Sequence, residues 1–235
     1  MSLEVLDCLS VRSINWQKID TVLLDMDGTL LDLRFDNNFW MEVIPETYAG
    51  LHGLTVAQAK QQLSPLFEQE QGKLNWYCID FWSATLGIDI AALKRQLADG
   101  IAWRPRAEQF LTRLHASHCK VILITNAHPE TLAIKLERAA LAPWFDALIS
   151  SHDLGAPKES QQFWRALQQQ VPFDRTTTLF IDDSEAVLAA AETFGIAHLI
   201  TLRQPDSQGP IRATTRYPAI HHFDEIDQGL PLHDD

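Results

Sequence analysis

Cysteine is scarce in this sequence, and its scarcity limits what can hold the fold together. The 235-residue chain has three cysteines, Cys8, Cys78 and Cys119, an odd number without the spacing of a zinc finger or a redox pair. We therefore expect no disulfide scaffold, but ordinary reduced thiols in a cytoplasmic protein.

Basic residues are also few. The chain has 19 Lys and Arg against 31 Asp and Glu, which gives a formal net charge of -12. A nucleic-acid partner would need a basic face, so none is expected. The same charge opposes a phosphate-ester substrate, so a metal ion and a local lysine would have to reverse the field at such a site.

Long apolar runs are absent as well. Nowhere are 18 apolar residues consecutive, and the stretch 1–13 has no basic region followed by an apolar one. We therefore expect neither a membrane span nor a signal peptide. A hydrophobic content of 46% and a charged content of 21% are typical of a soluble globular protein.

What the sequence does contain is an alternation of short apolar runs with helical patterns. The runs are continuous, which is typical of strands that are buried on both faces of a parallel sheet. Five strands are predicted, at residues 21–24, 121–124, 147–149, 178–181 and 196–202. The pattern predicts an α/β fold with a Rossmann-like, mostly parallel sheet.

A helical segment interrupts this alternation between the first and second strands. From residue 34 to residue 103 no strand-like run appears, and helical patterns follow one another. We predict that 34–103 forms an inserted all-helical cap subdomain. The α/β core would then consist of 1–33 and 104–235.

Local signals predict some of the boundaries within these parts. Thr55 fits a capping box, and Asn75 and Asp89 are expected to cap two further helices. The proline-containing tail of the chain is predicted to be a loop that docks through Ile220 and Phe223.

Polar side chains recur at the carboxyl ends of the predicted strands and in one loop between them. The group consists of Asp25, Asp27, Thr125, Lys158, Asp182 and Asp183. Each residue has an ordinary alternative as a turn, a helix cap or a surface charge, but their recurrence at one sheet edge indicates a ligand site. Carboxylate oxygens suit Mg²⁺, and a lysine with a hydroxyl suits a phosphoryl group.

These motifs resemble, in order and spacing, those of the haloacid-dehalogenase-like phosphatases. The matching residues are Asp25-x-Asp27-Gly-Thr29, Thr125-Asn126, Lys158 and Asp182-Asp183. The resemblance covers nearly the whole chain and identifies the helical segment with that superfamily's cap. Further stretches at 31–37, 75–78, 125–129 and 181–186 are similar to the bacterial GMP/IMP 5′-nucleotidases of the superfamily.

The resemblance implies a phosphomonoesterase that works through an aspartyl phosphate. Asp25 would attack phosphorus, which divides one difficult displacement into two easier ones. Asp27 would protonate the leaving oxygen and then deprotonate the attacking water. Mg²⁺ would be held by Asp25, by the main-chain carbonyl of Asp27 and by Asp182.

The resemblance also implies how the phosphate is bound. Thr125, Asn126 and Lys158 would hold its non-bridging oxygens. Asp183 would orient Lys158 or a metal-bound water. His128, at a helix start, is assigned a structural role.

Aromatic residues in the helical segment suggest a platform for a purine base. The candidates are Phe39, Trp40, Trp76 and Phe81. Most of the segment's aromatic rings must be core, but we expect one or two of these four to face the cleft and stack on the base. Asp36 or Asn37 would read the 6-oxo edge, which favours GMP and IMP over AMP.

Three other functions are compatible with parts of the pattern. A receiver-like signalling module has a similar acidic cluster, but its acidic pair comes first in the chain. A dehalogenase of this fold lacks the second acid, Asp27. A phosphatase for a small sugar phosphate or phosphoglycolate, or a phosphomutase, is the closest competitor.

Overall fold

The structure is a computed structural model that describes residues 14–231, so Cys8 and the stretch 1–13 lie outside the described residues. Its strands are β1 (Thr21–Leu24), β2 (Lys120–Thr125), β3 (Ala147–Ser150), β4 (Thr178–Ile181), β5 (His198–Leu202) and β6 (Ala219–Ile220). They form one parallel sheet in the order β3-β2-β1-β4-β5-β6. The predicted Rossmann-like α/β fold is confirmed.

Helices cover both faces of this sheet and fill the segment between its first two strands. Those of the segment are α1 (Arg34–Asn38), α2 (Ile44–His52), α3 (Val56–Glu70), α4 (Leu74–Tyr77), α5 (Ile79–Leu86) and α6 (Ile90–Gln96). Those that flank the sheet are α7 (Ala107–His115), α8 (Pro129–Ala139), α9 (Gln161–Gln170) and α10 (Glu185–Phe194). A π-helical turn, Phe39–Val43, joins α1 to α2.

Alternate residues of the central strand pack into two different apolar clusters. Val22 and Leu24 join the cluster that contains Phe110 of α7, whereas Leu23 joins the cluster that contains Trp164 of α9. All five side chains are buried. This double burial explains why the strands appear in the sequence as continuous apolar runs.

The sheet order determines where the polar residues meet. β1 pairs with β2 on one side and with β4 on the other, and all three strands run in the same direction. Asp25 follows β1, Thr125 ends β2 and Asp182 follows β4. The three residues are therefore neighbours at the carboxyl edge of the sheet.

The helical segment leaves the core and returns to it through two adjacent stretches of chain. The amide of Asp32 donates to the carbonyl of Ala102 at 2.9 Å, and the amide of Arg104 donates to the carbonyl of Leu30 at 2.8 Å. Between these stretches the helices enclose an apolar cluster of their own around Trp82. The division of the chain at residues 34 and 103 stays a prediction.

One predicted helix start is wrong. Asn75 lies inside the short helix α4 and caps nothing, and the next helix begins at Ile79. The backbone of Cys78 is extended, which separates α4 from α5, and its sulfur accepts the amide of Phe81 at 3.5 Å. By contrast, the capping box at Thr55 and the cap at Asp89 are as predicted.

The tail is not entirely loop. Residues 219–220 form β6, which pairs with β5, and the amide of Arg203 donates to the carbonyl of Ile220 at 2.8 Å. Ile220 and Phe223 are buried, as expected. A two-residue strand has no periodicity of its own, so only its pairing with β5 reveals it.

Within residues 14–231, no helix combines the length and the apolar character that crossing a bilayer requires.

Candidate active site

The chain turns sharply after β1, and this turn positions the two leading carboxylates. The amide of Asp25 still donates to the carbonyl of Ile181 in the neighbouring strand, at 3.1 Å. Gly28 then adopts a positive φ of 86°, and a Cβ on it would lie 2.7 Å from Cγ of Asp183. Only glycine fits here, because the backbone is left-handed and the loop after β4 approaches it closely.

Lys158 lies between two of these carboxylates. Its ammonium donates to Oδ1 of Asp25 at 2.6 Å, to Oδ2 of Asp182 at 2.7 Å and to the carbonyl of Ile124 at 3.2 Å. All three charged side chains are less than a tenth exposed. Burial lowers the pKa of Lys158, but the charges of Asp182 and Asp25 outweigh it, so the net pKa is raised and the lysine is cationic.

Three carboxylates meet beside this lysine. One oxygen each of Asp25, Asp182 and Asp183 lies within 4.8 Å of the others. Burial first, and then Asp25, raise the pKa of Asp182 to about 7 against the opposing charge of Lys158. Burial and the Asp182 charge raise the pKa of Asp183 well above its ordinary value. One lysine therefore does not balance the crowded negative charge.

The donor set fits a small divalent cation. Oδ2 of Asp25 is buried and has no hydrogen-bond partner within the described residues. An orphaned carboxylate oxygen of this kind is costly unless something cationic occupies its free lone pairs. Carboxylate oxygens are the ligands that hard ions such as Mg²⁺ take. The acidic residues could therefore hold a metal ion.

The side-chain contacts of Asp183 differ in part from the predicted ones. Asp183 was predicted to orient Lys158 or a metal-bound water. The lysine's partners are Asp25 and Asp182, because Asp183 turns toward Gly28, so the role beside a metal-bound water stays a prediction. Asp183 also faces Arg212, whose guanidinium lies 3.9 Å from its carboxylate and donates to its main-chain oxygen at 2.6 Å.

The side chain of Asp27 contacts a different lysine from that of Asp25 and Asp182. Its Oδ1 accepts from Nζ of Lys135 at 2.5 Å, and the same ammonium contacts Asp36. Lys94 in turn donates to Asp36 at 2.8 Å. These four residues form an ion-pair chain from the loop after β1, through α8 and α1, to α6.

The charges along this chain set the protonation of its carboxyl groups. Burial raises the pKa of Asp27 to about 6, and Asp36 and Asp25 add to the increase while Lys135 opposes it. Burial also raises the pKa of Asp36, but Lys135 and Lys94 outweigh it and hold the net pKa well below its ordinary value. Asp27 is therefore the member of this pair that can take up a proton near neutral pH.

Sequence analysis missed both lysines of this ion-pair chain, Lys135 and Lys94. Lys135 is buried on α8, and Lys94 is buried on α6. Lys135 lies three positions after Leu132, and Lys94 lies four after Ile90. A lysine at the apolar spacing of a helix is the signal that could have revealed each.

Thr125 ends β2 at the acidic cluster, and Asn126 follows it. The hydroxyl of Thr125 accepts the amide of Ala127 at 3.0 Å. Oδ1 of Asn126 accepts the amide of Lys158 at 2.9 Å, and its Nδ2 donates to Glu159 at 3.0 Å. Asn126 thus fixes the loop that carries the lysine.

A cavity of about 240 Å³ extends from the acidic cluster into the helical segment. Of the four aromatic residues predicted to hold a base, Trp40 and Trp76 line it and the other two do not. Phe39 is buried beneath the Lys94 ammonium, 4.4 Å from its ring centroid, and Phe81 packs edge-on against Trp82.

Other lining residues determine how polar the cavity is. Asp36 and Asn37 both line it, but the Asp36 carboxylate is bound by the two lysines, and Nδ2 of Asn37 donates to Asp206 at 2.7 Å. Phe67 and Tyr77 also line it and were not predicted. The hydroxyl of Tyr77 donates to Glu159 at 2.6 Å. This contact joins the helical segment to the loop of Lys158.

Comparison with known proteins gives consistent matches. A protein-family model described as haloacid dehalogenase-like hydrolase matches residues 19–195. The GMP/IMP nucleotidase YrfG of Escherichia coli is 44% identical over 211 residues, which are 90% of this chain and 95% of that protein. The protein of the same name from Shigella flexneri matches to the same extent.

Solved structures share the fold at low sequence identity. A HAD phosphatase from Thermococcus onnurineus has a TM-score of 0.72 and 17% identity, covering 88% of this chain and 95% of its own. The putative HAD-hydrolase YfnB from Bacillus subtilis has a TM-score of 0.61 and 21% identity, covering 88% and 96%. The family matches span most of the chain and agree with the motifs from which the superfamily was inferred. The chain belongs to the haloacid dehalogenase-like hydrolases.

Proposed function

We propose that this hydrolase is a Mg²⁺-dependent 5′-nucleotidase that removes the phosphate of purine nucleoside monophosphates, GMP and IMP. The observation that carries the chemistry is Lys158, fixed between Asp25 and Asp182 at one end of an aromatic-lined cavity. The substrate class is supported by the relatives named GMP/IMP nucleotidase, which are 44% identical over 90% of the chain.

Asp25 is the nucleophile in this proposal. Its carboxylate offers two oxygens: the unpartnered Oδ2 is left for the metal ion, and Oδ1, beside Lys158, attacks phosphorus. The new bond joins this oxygen to phosphorus as the ester P–O bond breaks, giving an aspartyl phosphate and the nucleoside. Water then attacks the same phosphorus and restores the carboxylate.

Asp27 moves the proton in both steps. Its raised pKa of about 6 leaves a protonated fraction near neutral pH, which can be given to the departing nucleoside oxygen. The resulting carboxylate accepts a proton from the attacking water. Lys135 holds this carboxylate in place, because it bonds Asp27 and Asp36 together.

The phosphate oxygens are held by Thr125, Asn126 and Lys158. Of these, Lys158 supplies the positive charge, and Asn126 anchors the lysine loop through the Lys158 amide. Donors that are already in position stabilise the charge that builds up on these oxygens in the transition state.

Mg²⁺ would be held by Asp25, Asp182 and the main chain of Asp27, with Asp183 next to it. The clustering of Asp25, Asp182 and Asp183 supports a divalent ion at this place. When bound, the ion offsets the repulsion between the nucleophilic carboxylate and the phosphate.

We further infer that residues 34–103 act as a cap that closes over the bound nucleotide. The contacts that support this join the segment to the core: Tyr77 with Glu159, and Asp36 with Lys135. Closure would exclude water from the first chemical step.

Free thiols at Cys78 and Cys119 support a cytoplasmic location.

Trp40 and Trp76 are the residues we propose for base stacking, because they line the cavity while Phe39 and Phe81 do not. A small sugar phosphate or phosphoglycolate has no ring to place against them. Stacking on an aromatic side chain contributes about 1–3 kcal/mol per base, so removing it would cost roughly 5- to 150-fold in kcat/KM.

The test compares phosphate esters of ribose that carry different bases or no base. We would measure kcat/KM at saturating Mg²⁺ for GMP, IMP, AMP, a pyrimidine nucleotide and ribose 5-phosphate. Trp76→Leu is expected to lower the GMP value within that range and to leave ribose 5-phosphate unchanged. Phe81→Leu is the matched control and should affect neither. Equal kcat/KM for GMP and ribose 5-phosphate in the wild type would reduce the assignment to a general phosphatase.

A further inference from the structure

A second cluster of metal-ligating side chains lies outside the acidic cluster. The sulfur of Cys78 and one ring nitrogen each of His128 and His152 lie within 4.8 Å of one another, and all three residues are half-buried. The mechanism proposed above uses none of them. Cys78 belongs to the helical segment, whereas His128 and His152 belong to the sheet-bearing core.

Local structure directs each ligand atom toward the same point. The extended backbone of Cys78 breaks the helix between α4 and α5 and turns its sulfur to the N-terminus of α5. His128 caps α8, and its Nδ1 accepts the amide of Glu130 at 3.4 Å, so Nε2 is the ring nitrogen left for a metal ion, with Asp80 beside it. The rings of His128 and His152 stand edge to face, 5.0 Å apart.

His152 is the residue that most needs a ligand. Its Nε2 is buried and has no hydrogen-bond partner within residues 14–231. Burial, together with His128, lowers the pKa of His152 to about 4, so the ring is neutral near pH 7. A neutral imidazole nitrogen without a partner is costly to bury, and it is a good metal ligand.

The ligand types favour a different ion from that of the acidic cluster. A thiolate and two imidazoles suit Zn²⁺, which usually takes four such ligands, whereas Mg²⁺ takes oxygen. A fourth donor lies next to the cluster: Oδ2 of Asp80 is 3.5 Å from Nε2 of His128. Asp80 and His128 group there with Glu130, so the Asp80 side chain has to turn to join Cys78 and His152. The Asp80 side chain is 74% exposed and free to turn.

We propose that Cys78, His128 and His152, with Asp80 as the fourth ligand, bind Zn²⁺ and that the ion ties the helical segment to the core. Binding would release the thiol proton of Cys78 to solvent, because the thiolate is the ligand. Tyr77 precedes Cys78 and already contacts Glu159 in the loop of Lys158. An ion at Cys78 would hold this contact closed and slow the release of products.

Cobalt(II) tests the binding directly, because it takes the ligands of Zn²⁺ and absorbs light when bound. The full chain would be titrated with Co²⁺ in excess Mg²⁺, which occupies the acidic cluster. We expect one equivalent to produce a thiolate-to-cobalt charge-transfer band that Zn²⁺ abolishes. Cys78→Ser should remove the band, and His152→Gln should weaken binding about tenfold or more.

Cys119→Ser is the matched control, since that sulfur donates to the carbonyl of Ile19 in the core, away from the cluster. It should leave the band intact. A wild-type protein without a charge-transfer band, or a band that survives Cys78→Ser, would overturn the site. Binding is read without turnover, so this result is independent of the proposed nucleotidase activity.

A kinetic measurement tests separately whether the ion joins the helical segment to the core. At saturating Mg²⁺ we expect Zn²⁺ to lower the kcat of the wild type and of Cys119→Ser, and to inhibit Cys78→Ser much less. Both variants retain the acidic cluster, so inhibition through that cluster would be equal in all three proteins. Equal inhibition would therefore overturn the tie.

Discussion

Lys158 is the residue on which the charge balance at the sheet edge depends. Its ammonium is within 2.7 Å of Asp25 and Asp182, and the indole of Trp164 donates to its carbonyl at 2.8 Å. A compact ammonium with three donors can contact two carboxylates and a carbonyl at once, whereas a planar guanidinium cannot match this arrangement. The residue is therefore specific as well as charged.

Replacing Lys158 should damage both binding and chemistry. Lys158→Ala is expected to lower kcat about 10²- to 10³-fold and to raise KM, because its charge faces the phosphate in ground and transition states. Lys158→Arg should rescue little of this loss. Lys60→Ala, at an exposed ion pair with Glu42, is the control and should be silent. An Arg variant with wild-type kcat/KM would contradict this role.

At the scale of elements, the turn after β1 depends on Gly28. Gly28→Ala should lower the free energy of unfolding by about 2–4 kcal/mol, because left-handed strain adds to overpacking against Asp183. Gly53→Ala is the matched control: its φ is 64°, but nothing lies near its Cβ position, so only about 1 kcal/mol is expected. Urea unfolding measures both. Equal losses would show that the approach of Asp183 does not matter.

The ion-pair chain joins α8 to α1 and α6 through buried charges. Lys135→Met would leave Asp27 and Asp36, whose side chains are 21% and 16% exposed, without their shared partner, and should cost about 3 kcal/mol of unfolding free energy together with a fall in kcat. Lys60→Met breaks an exposed pair with Glu42 and should cost less than about 1 kcal/mol. Urea unfolding and steady-state kinetics would be compared, and a Lys135→Met protein as stable as Lys60→Met would refute the structural importance of the chain.

At the scale of the whole molecule, three of the few basic residues are concentrated at the cavity, where they offset part of its negative charge. The chain carries a net charge of -12, yet Lys94, Lys135 and Lys158 are all buried around the cleft. Each lysine is paired with at least one carboxylate, so the lysines alone do not make the cavity positive, and the proposed metal ion would be needed to do so. The expectation of a local lysine at the phosphate site identified one of these three residues.

How much could be predicted depended on how local each signal was. β1 and β4 were predicted to the residue because a buried strand is a continuous apolar run. The short strand β6 is stabilised by pairing with β5, far away in the sequence, so it was missed. The partners of Asp27 were missed for the same reason, since Lys135 lies 108 positions away along the chain.

The aromatic candidates show the same limit inside the helical segment. All four rings have similar sequence surroundings, and only the packing of α1 to α6 turns Trp40 and Trp76 toward the cavity and Phe39 into the interior. Cys78 is another case: the expected cap at Asn75 predicted one helix from that point, but α4 begins at Leu74 and the helix breaks at Cys78 before α5. Side-chain direction follows from tertiary packing, which periodicity does not encode.

The central claim is that Asp25 carries the phosphoryl group between the two steps. The direct measurement treats Asp27→Asn with radiolabelled p-nitrophenyl phosphate and Mg²⁺, followed by acid quenching and peptide mapping. This leaving group departs without a proton, but the variant cannot activate water, so the account predicts about one phosphoryl group per chain on the peptide that contains Asp25. Asp25→Asn, alone or combined with Asp27→Asn, should carry no label, and alone should lose about 10⁴-fold or more in kcat. Label on another residue, or turnover by Asp25→Asn near the wild-type rate, would contradict the account.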